Sequence, residues 1–154
     1  MNNTKDLGIL ALNISNTKET LELINLAKTY YSHHPYDQTC FFNSFSEVIN
    51  SENIPILHIS QAKFFYGNLL TTDIESLILC HSFSNINKIL FWSQNIPWQQ
   101  DLKNYKDWEK LFYNDKVQIL AKNQEIYDIY DICYKKPQGI AERLNYEQIE
   151  QSLR

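Results

Sequence analysis

Glycine is scarce in this chain: Gly8, Gly67 and Gly139 are the only three in 154 residues, about 2% where globular proteins usually carry about 7%. A backbone lies close against a phosphate where no Cβ intervenes. The G-x-G-x-x-G and G-x-x-x-x-G-K-[ST] fingerprints of nucleotide sites are both missing. Tightly held NAD or ATP is therefore not expected, and no cofactor is implied. Cysteine is sparse and odd in number. Cys40, Cys80 and Cys133 lie far apart and read as reduced, mostly buried small hydrophobes. No run approaches the roughly 18 apolar residues of a membrane span. The first residues, MNNTKDLG, lack the apolar segment of a secretion signal, so a cytoplasmic location is expected. A basic excess is missing too. Fourteen Lys and Arg stand against 18 Asp and Glu, a net charge of −4. The lone basic doublet, Lys135-Lys136, is a solvated pair beside Pro137, and nucleic-acid binding is not expected.

Metal and nucleophile signals are equally thin. Cys80 and His81 are adjacent on a predicted helix, about 100° apart, and do not face one ion. His33-His34 end a helix without a ligand at metal spacing, so no metal site is expected. Nothing local signals a Cys–His nucleophilic pair. The carboxylate pairs Asp128/Asp131 and Glu147/Glu150 read as solvated helix faces, with no sign of the buried member that acid–base work needs. No catalytic residue is therefore assigned.

What the chain does have is an alternation of apolar runs with helical patterns. "LGILALNI" (7–14) predicts a strand. Asn16, with Glu19 three residues on, predicts the start of a helix over 17–32, and Pro35 stops it. Strands follow at 39–45 and 54–60, with Pro55 at the start of the latter, then a helical turn over 61–66. "NLLTTD" (68–73) predicts a strand, with Asp73 capping the helix "DIESLILCHSF". "KILFWS" (88–93) is a fifth strand, "YKDWEKLFYN" (105–114) a helix and "VQILAK" (116–122) a sixth strand. A helix capped by Asn123 places Ile126, Ile129 and Cys133 inward and Asp128 and Asp131 outward. A short amphipathic helix spans 146–153. The strands are continuous apolar runs, the pattern of strands buried on both faces of a parallel sheet under helices. The chain therefore reads as one α/β domain over 1–154, a three-layer α/β/α Rossmann-like fold with a mostly parallel sheet.

In an open parallel sheet, ligands bind outside the carboxyl ends of the strands. This rule selects Asn13 after the first strand, Ser60 after the third, Thr71, Thr72 and Asp73 after the fourth, and Ser93, Gln94 and Asn95 after the fifth. Thr71–Asp73 has two readings, a ligand site at a strand-to-helix turn or a helix cap with local hydrogen bonds. Asp73 argues against a phosphate there, because its carboxylate competes for the same amides. Tryptophan and tyrosine concentrate at interface hot spots, and Trp92, Trp98 and Trp108 fall close together. Trp92 and Trp108 are placed in the core. Trp98, past Pro97, is placed outside, with Tyr105 and Tyr113, as an interaction surface.

The succession "NLLTTDIESLILC", "KILFWSQNIPW", "VQILAKNQEIYDIYD" and "KPQGIAERLN", over roughly 68–146, resembles the amino-terminal half of two-domain GT-B glycosyltransferases, especially short glycosyltransferase-like proteins of tailed phages. The wealth of Asn, Ile, Lys, Tyr and Phe accompanies AT-rich genomes, those of many phages included. The resemblance implies half of an active-site cleft. The second domain that holds the nucleotide-sugar would begin where the sequence ends, at Arg154, and its glycine-rich donor loop has no counterpart here. The leading expectation is a non-catalytic binding or protein-interaction module. Its partner would be another protein or a second copy in a homodimer, with a small-molecule or sugar ligand as the lesser possibility. The alternatives are a glycosyltransferase-type enzyme, or half of one, acting on a nucleotide-sugar, and a virion or assembly component.

Overall fold

In the computed structural model, residues 5–12, 17–44, 53–99 and 105–154 are described, the side chains of 105 and 106 excepted. Apolar runs become strands because both faces of the sheet are covered. β1 (Leu7–Leu10), β2 (Thr39–Asn43) and β4 (Gly67–Thr71) are buried at every position. β3 (Ile56–His58) is a short, partly exposed edge. β5 (Ile86–Ser93), β6 (Val117–Ala121) and the two-residue β7 (Gly139–Ile140) complete a seven-stranded sheet in the order β3-β2-β1-β4-β5-β6-β7. Every pairing is parallel. The Rossmann-like α/β reading is therefore correct.

Local chemistry fixes the helix starts. Thr17, one residue after the expected Asn16, caps α1 (Lys18–His33) by accepting from the Thr20 amide at 3.4 Å. Asp73 caps α2 (Ile74–Cys80). α3 is Tyr105–Phe112. Asn123 caps α4 (Gln124–Cys133) through the Ile126 amide at 2.9 Å, and Asn145 caps α5 (Tyr146–Leu153) through that of Gln148 at 2.9 Å. Such caps contribute about 1 kcal/mol each. The third strand is shorter than expected. Ile59 and Ser60 leave it for a 3-10 turn, Ile59–Phe64, that crosses to β4.

A strand–helix–parallel strand unit is right-handed, so reversing the direction of growth moves the helix to the opposite face. α1 links β1 to β2 in one direction; α2, α3 and α4 link β4 through β7 in the other. On one face Ile9, Leu70, Leu90, Trp92 and Leu120 pack under Leu23, Ala27 and Tyr30 of α1 and Ile149 of α5. On the other, Leu69, Ile89, Phe91 and Ile119 pack under Leu77 of α2, Trp108 and Phe112 of α3, and Tyr130 of α4. Trp92 and Trp108 are thus core residues, and Trp92 Nε1 donates to the Ala141 carbonyl at 2.9 Å, tying the chain after β7 to the sheet. Two glycines serve this packing. A Cβ on Gly8 would meet Leu69 Cδ2 at 2.7 Å and Phe42 Cε2 at 2.8 Å. Gly67 holds φ +148°, closed to most side chains, as the chain enters β4.

Candidate functional site

The strand order reverses between β1 and β4, and that switch point is where doubly wound sheets bind ligands. Among the described residues, the polar groups of Leu12, Asp73 and Ser76 beside it are engaged within the chain. The Ala11 amide donates to the Phe42 carbonyl at 3.1 Å. The Leu12 amide donates to Ser76 Oγ at 3.2 Å, and the Leu12 carbonyl accepts from Ser44 Oγ at 3.0 Å. Ser76 Oγ in turn donates to Asp73 Oδ2 at 2.7 Å, while Asp73 Oδ1 accepts the Ser76 amide at 2.7 Å. Both Asp73 oxygens thus close the first turn of α2. Ser76, fully buried, latches the chain leaving β1 onto α2. Sequence reasoning passed over Ser76. Its signal was its place three residues after the Asp73 cap.

The other expected positions do not converge on this point. Asn13 lies outside the described residues. Ser60 sits at the β3 edge, two strands away, with Oγ 2.8 Å from His58 Nδ1. Thr71 is fully buried, and its Oγ1 has no hydrogen-bond partner; Thr72 is half-buried. Thr71 thus faces the interior and not an open crevice.

The end of β5 is closed by its own packing. Ser93, 1% exposed, has Oγ 2.7 Å from the Asn95 carbonyl and 3.0 Å from the Tyr130 hydroxyl. Its single proton goes to the carbonyl, so Tyr130 donates to it. Burial pushes the Tyr130 phenol well above its usual range, and it holds the neutral form at ordinary pH. Gln94 is half-buried and Asn95 exposed at the rim.

Trp98 corrects the sequence reading. It is 7% exposed, on a 3-10 turn, Pro97–Gln99, that folds inward. Its ring centroid lies 4.8 Å from that of Tyr134, 5.2 Å from Tyr130, 6.1 Å from Phe112 and 6.3 Å from Trp108. The physical reason is the apolar area an indole removes from water when these four rings, on α3 and at the end of α4, enclose it. Tyr113 is 53% exposed, but it follows α3 and lies at the amino end of the sheet, opposite Ser93–Asn95. Tyr105 opens α3; its side chain lies outside the described residues. Trp98 and Tyr113 therefore do not form one surface with the strand ends.

The amino end of the sheet has a different character. Tyr31, Tyr36, Phe64, Tyr66, Ile78, Leu79, Tyr113 and Ile132 are large and exposed, and all lie in last helical turns or in loops entering strands. Among the described residues only Leu21, in the first turn of α1, lies at the opposite end. These loops are pinned to one another. Asn114 Nδ2 donates to the His81 carbonyl at 3.3 Å. Lys116 Nζ donates to the Phe83 and Ser84 carbonyls at 3.3 and 3.4 Å. Lys135 Nζ donates to the Val117 carbonyl at 2.8 Å, and burial lowers the pKa of that amine.

Among the described residues no group of three or more His, Cys, Asp or Glu is placed to hold a metal ion, and no helix is long and apolar enough to cross a membrane. Burial pushes the thiols of Cys40 and Cys80 up to about 12, so both are protonated and poor nucleophiles at neutral pH. No protein-family model, curated protein or solved structure matches this chain.

Proposed function

We propose that this chain is a non-catalytic recognition module that meets a protein partner through the amino end of its sheet, in the cytoplasm. One contrast carries the reading. The polar groups that a doubly wound sheet ordinarily offers a ligand are engaged internally at Leu12, Asp73, Ser76 and Ser93. Large apolar side chains collect instead at the opposite end. Large apolar side chains exposed at one end of the sheet supply the area an interaction site needs, and the Asn114, Lys116 and Lys135 pins reduce the ordering that binding would otherwise require.

The first partner is a second copy. The amino end carries exposed charges of both signs, Lys63 and Lys136 with Asp115 and Asp131. Two copies about a two-fold axis can therefore set cation against carboxylate around the apolar centre. The test is mass by light scattering over a wide concentration range, with Tyr66→Ser, Tyr113→Ser and Ile132→Ser combined. A dimer that the triple variant dissociates without loss of fold supports the proposal. A strict monomer with no melting shift from added partner fractions defeats it. The glycosyltransferase reading makes the opposite prediction, a melting temperature raised saturably by a nucleotide-sugar, by RT ln(1 + [L]/Kd) in free energy.

A further inference from the structure

One edge of the sheet ends in polar groups that the chain leaves over. β7 is the last strand, with β6 on one side only. The Lys122 amide donates to the Ser93 carbonyl of β5 at 3.0 Å, whereas the Ile119 and Ala121 carbonyls accept from the Gln138 and Ala141 amides at 2.8 Å each. Ile119 and Ala121 therefore face β7. Backbone groups alternate in direction along a strand, so with Ala141 turned to β6, Ile140 turns its own amide and carbonyl outward. The carbonyl is met by α5: Gln148 Nε2 donates to it at 3.1 Å. The other atom of that side-chain amide, Oε1, is buried and has no hydrogen-bond partner. An outward backbone donor and a buried side-chain acceptor thus remain on neighbouring groups. A cleft of about 160 Å³ lies here between β7 and α5, lined by Leu120 and Ile140 and by the polar side chains of Gln138, Gln148, Gln151 and Ser152.

The chemistry of the cleft narrows its occupant. No lining residue is charged, so an ionic ligand finds no counter-charge. None is aromatic, so a sugar ring finds no face to lie on. At about 160 Å³ the cleft is smaller than the roughly 300–1,000 Å³ of pockets that enclose a small molecule. What it does offer is a strand edge and primary amides. A primary amide carries the donor and acceptor of a peptide unit, and strand edges pair with extended backbone. Gln148, bonded to the Ile140 carbonyl, lengthens the edge by one such unit. A second copy fits this edge poorly: about a two-fold axis its own Gln148 would stand against this one. An acceptor buried without a partner costs stability until a donor reaches it, and a backbone N–H supplies that donor.

We propose that the β7 edge and Gln148 together capture an extended, uncharged peptide segment of another protein. The Ile140 amide donates to a peptide carbonyl, and a peptide N–H donates to Gln148 Oε1. This place is separate from the amino-end surface, none of whose exposed apolar side chains lines the cleft. The test follows the Ile140 backbone amide and the Gln148 side-chain amide by NMR in the full chain. The probe is the capped pentapeptide acetyl-Thr-Val-Thr-Val-Thr-amide, added to millimolar concentration, and its fully N-methylated form is the comparison. The expected result is saturable shifts at Ile140 and Gln148 with the first peptide and none with the second, which has no backbone donors. Gln148→Leu should weaken binding about five- to tenfold, the loss of one hydrogen bond. An unresponsive Ile140, equal responses to the two peptides, shifts produced by methyl glucoside instead, or shifts that appear on concentrating the chain alone overturn the proposal. If Gln148→Leu fails to fold, the comparison of the two peptides decides.

Discussion

Replacing Trp98 with alanine separates a core residue from a surface one. The indole is 7% exposed and touches the rings of Trp108, Phe112, Tyr130 and Tyr134. A tryptophan side chain buries about 150–250 Å². At about 25 cal/mol per Å² its transfer term is about 4–6 kcal/mol, and measured Trp→Ala losses in packed cores run about 3–5 kcal/mol. Four packed rings, three of them edge to face with Trp98, collapse poorly into the space left, so a loss of about 4 kcal/mol is expected. For a chain of this length that lowers the melting temperature by roughly 10 °C. Urea unfolding followed by far-ultraviolet circular dichroism measures the loss without relying on tryptophan emission. Trp98→Phe, which keeps a ring, should lose about half as much or less. A loss under about 0.5 kcal/mol, the range for exposed positions, would place Trp98 on the surface and remove the closed end of β5 from the account.

Three further outcomes follow from the same contacts. Asp73→Ala frees the first-turn amides of α2 and the Ser76 hydroxyl, and should cost about 1–2 kcal/mol in urea unfolding; a variant as stable as the parent would show that Asp73 is not a structural cap. Burial works against the Glu150 carboxylate, but Lys5 and His34 outweigh it and hold its pKa below the usual 4.5. A depressed carboxylate stabilises above its unfolded pKa and loses that contribution as pH falls through the folded one. The stability difference between the parent and Glu150→Gln should accordingly be present at neutral pH and shrink progressively as pH falls below the unfolded carboxylate pKa, and a difference independent of pH would contradict the pairing. Of the three cysteines, Cys40 and Cys80 are buried and Cys133 is partly exposed. A thiol reagent at pH 8 should label Cys133 alone in the native chain and all three in urea; rapid native labelling of Cys80 would refute the packing of α2.

Much of the fold was written in apolar periodicity. The continuous runs at Leu7–Leu10, Leu69–Leu70, Ile89–Trp92 and Ile119–Ala121 marked doubly covered strands. Asp73 and Asn123 marked helix starts because a short polar side chain before an apolar period has one main use. β7 escaped because two residues after Pro137 carry no period at all. The site was less legible. The carboxyl-end rule located Thr71, Asp73 and Ser93 correctly along the chain, but says nothing of whether their polar atoms are free. That depends on partners far away in sequence: Leu12 for Ser76, Tyr130 for Ser93. Trp98 was misplaced for the same kind of reason. A proline-led turn reads locally as exposed, and only the tertiary packing against Phe112, Tyr130 and Tyr134 places the ring inside. Tyr113 and Ser93 stand close in sequence but at opposite ends of the sheet, because α3 carries the chain from one end to the other.

At the switch point of this sheet Leu12, Asp73 and Ser76 are already bonded within the chain. This central claim is tested most directly by following the backbone amide resonances of Leu12, Ser76 and Lys122 while millimolar nucleotide and nucleotide-sugar are added. The account predicts that these signals stay in place. Saturable shifts centred on Leu12 and Ser76 would contradict it.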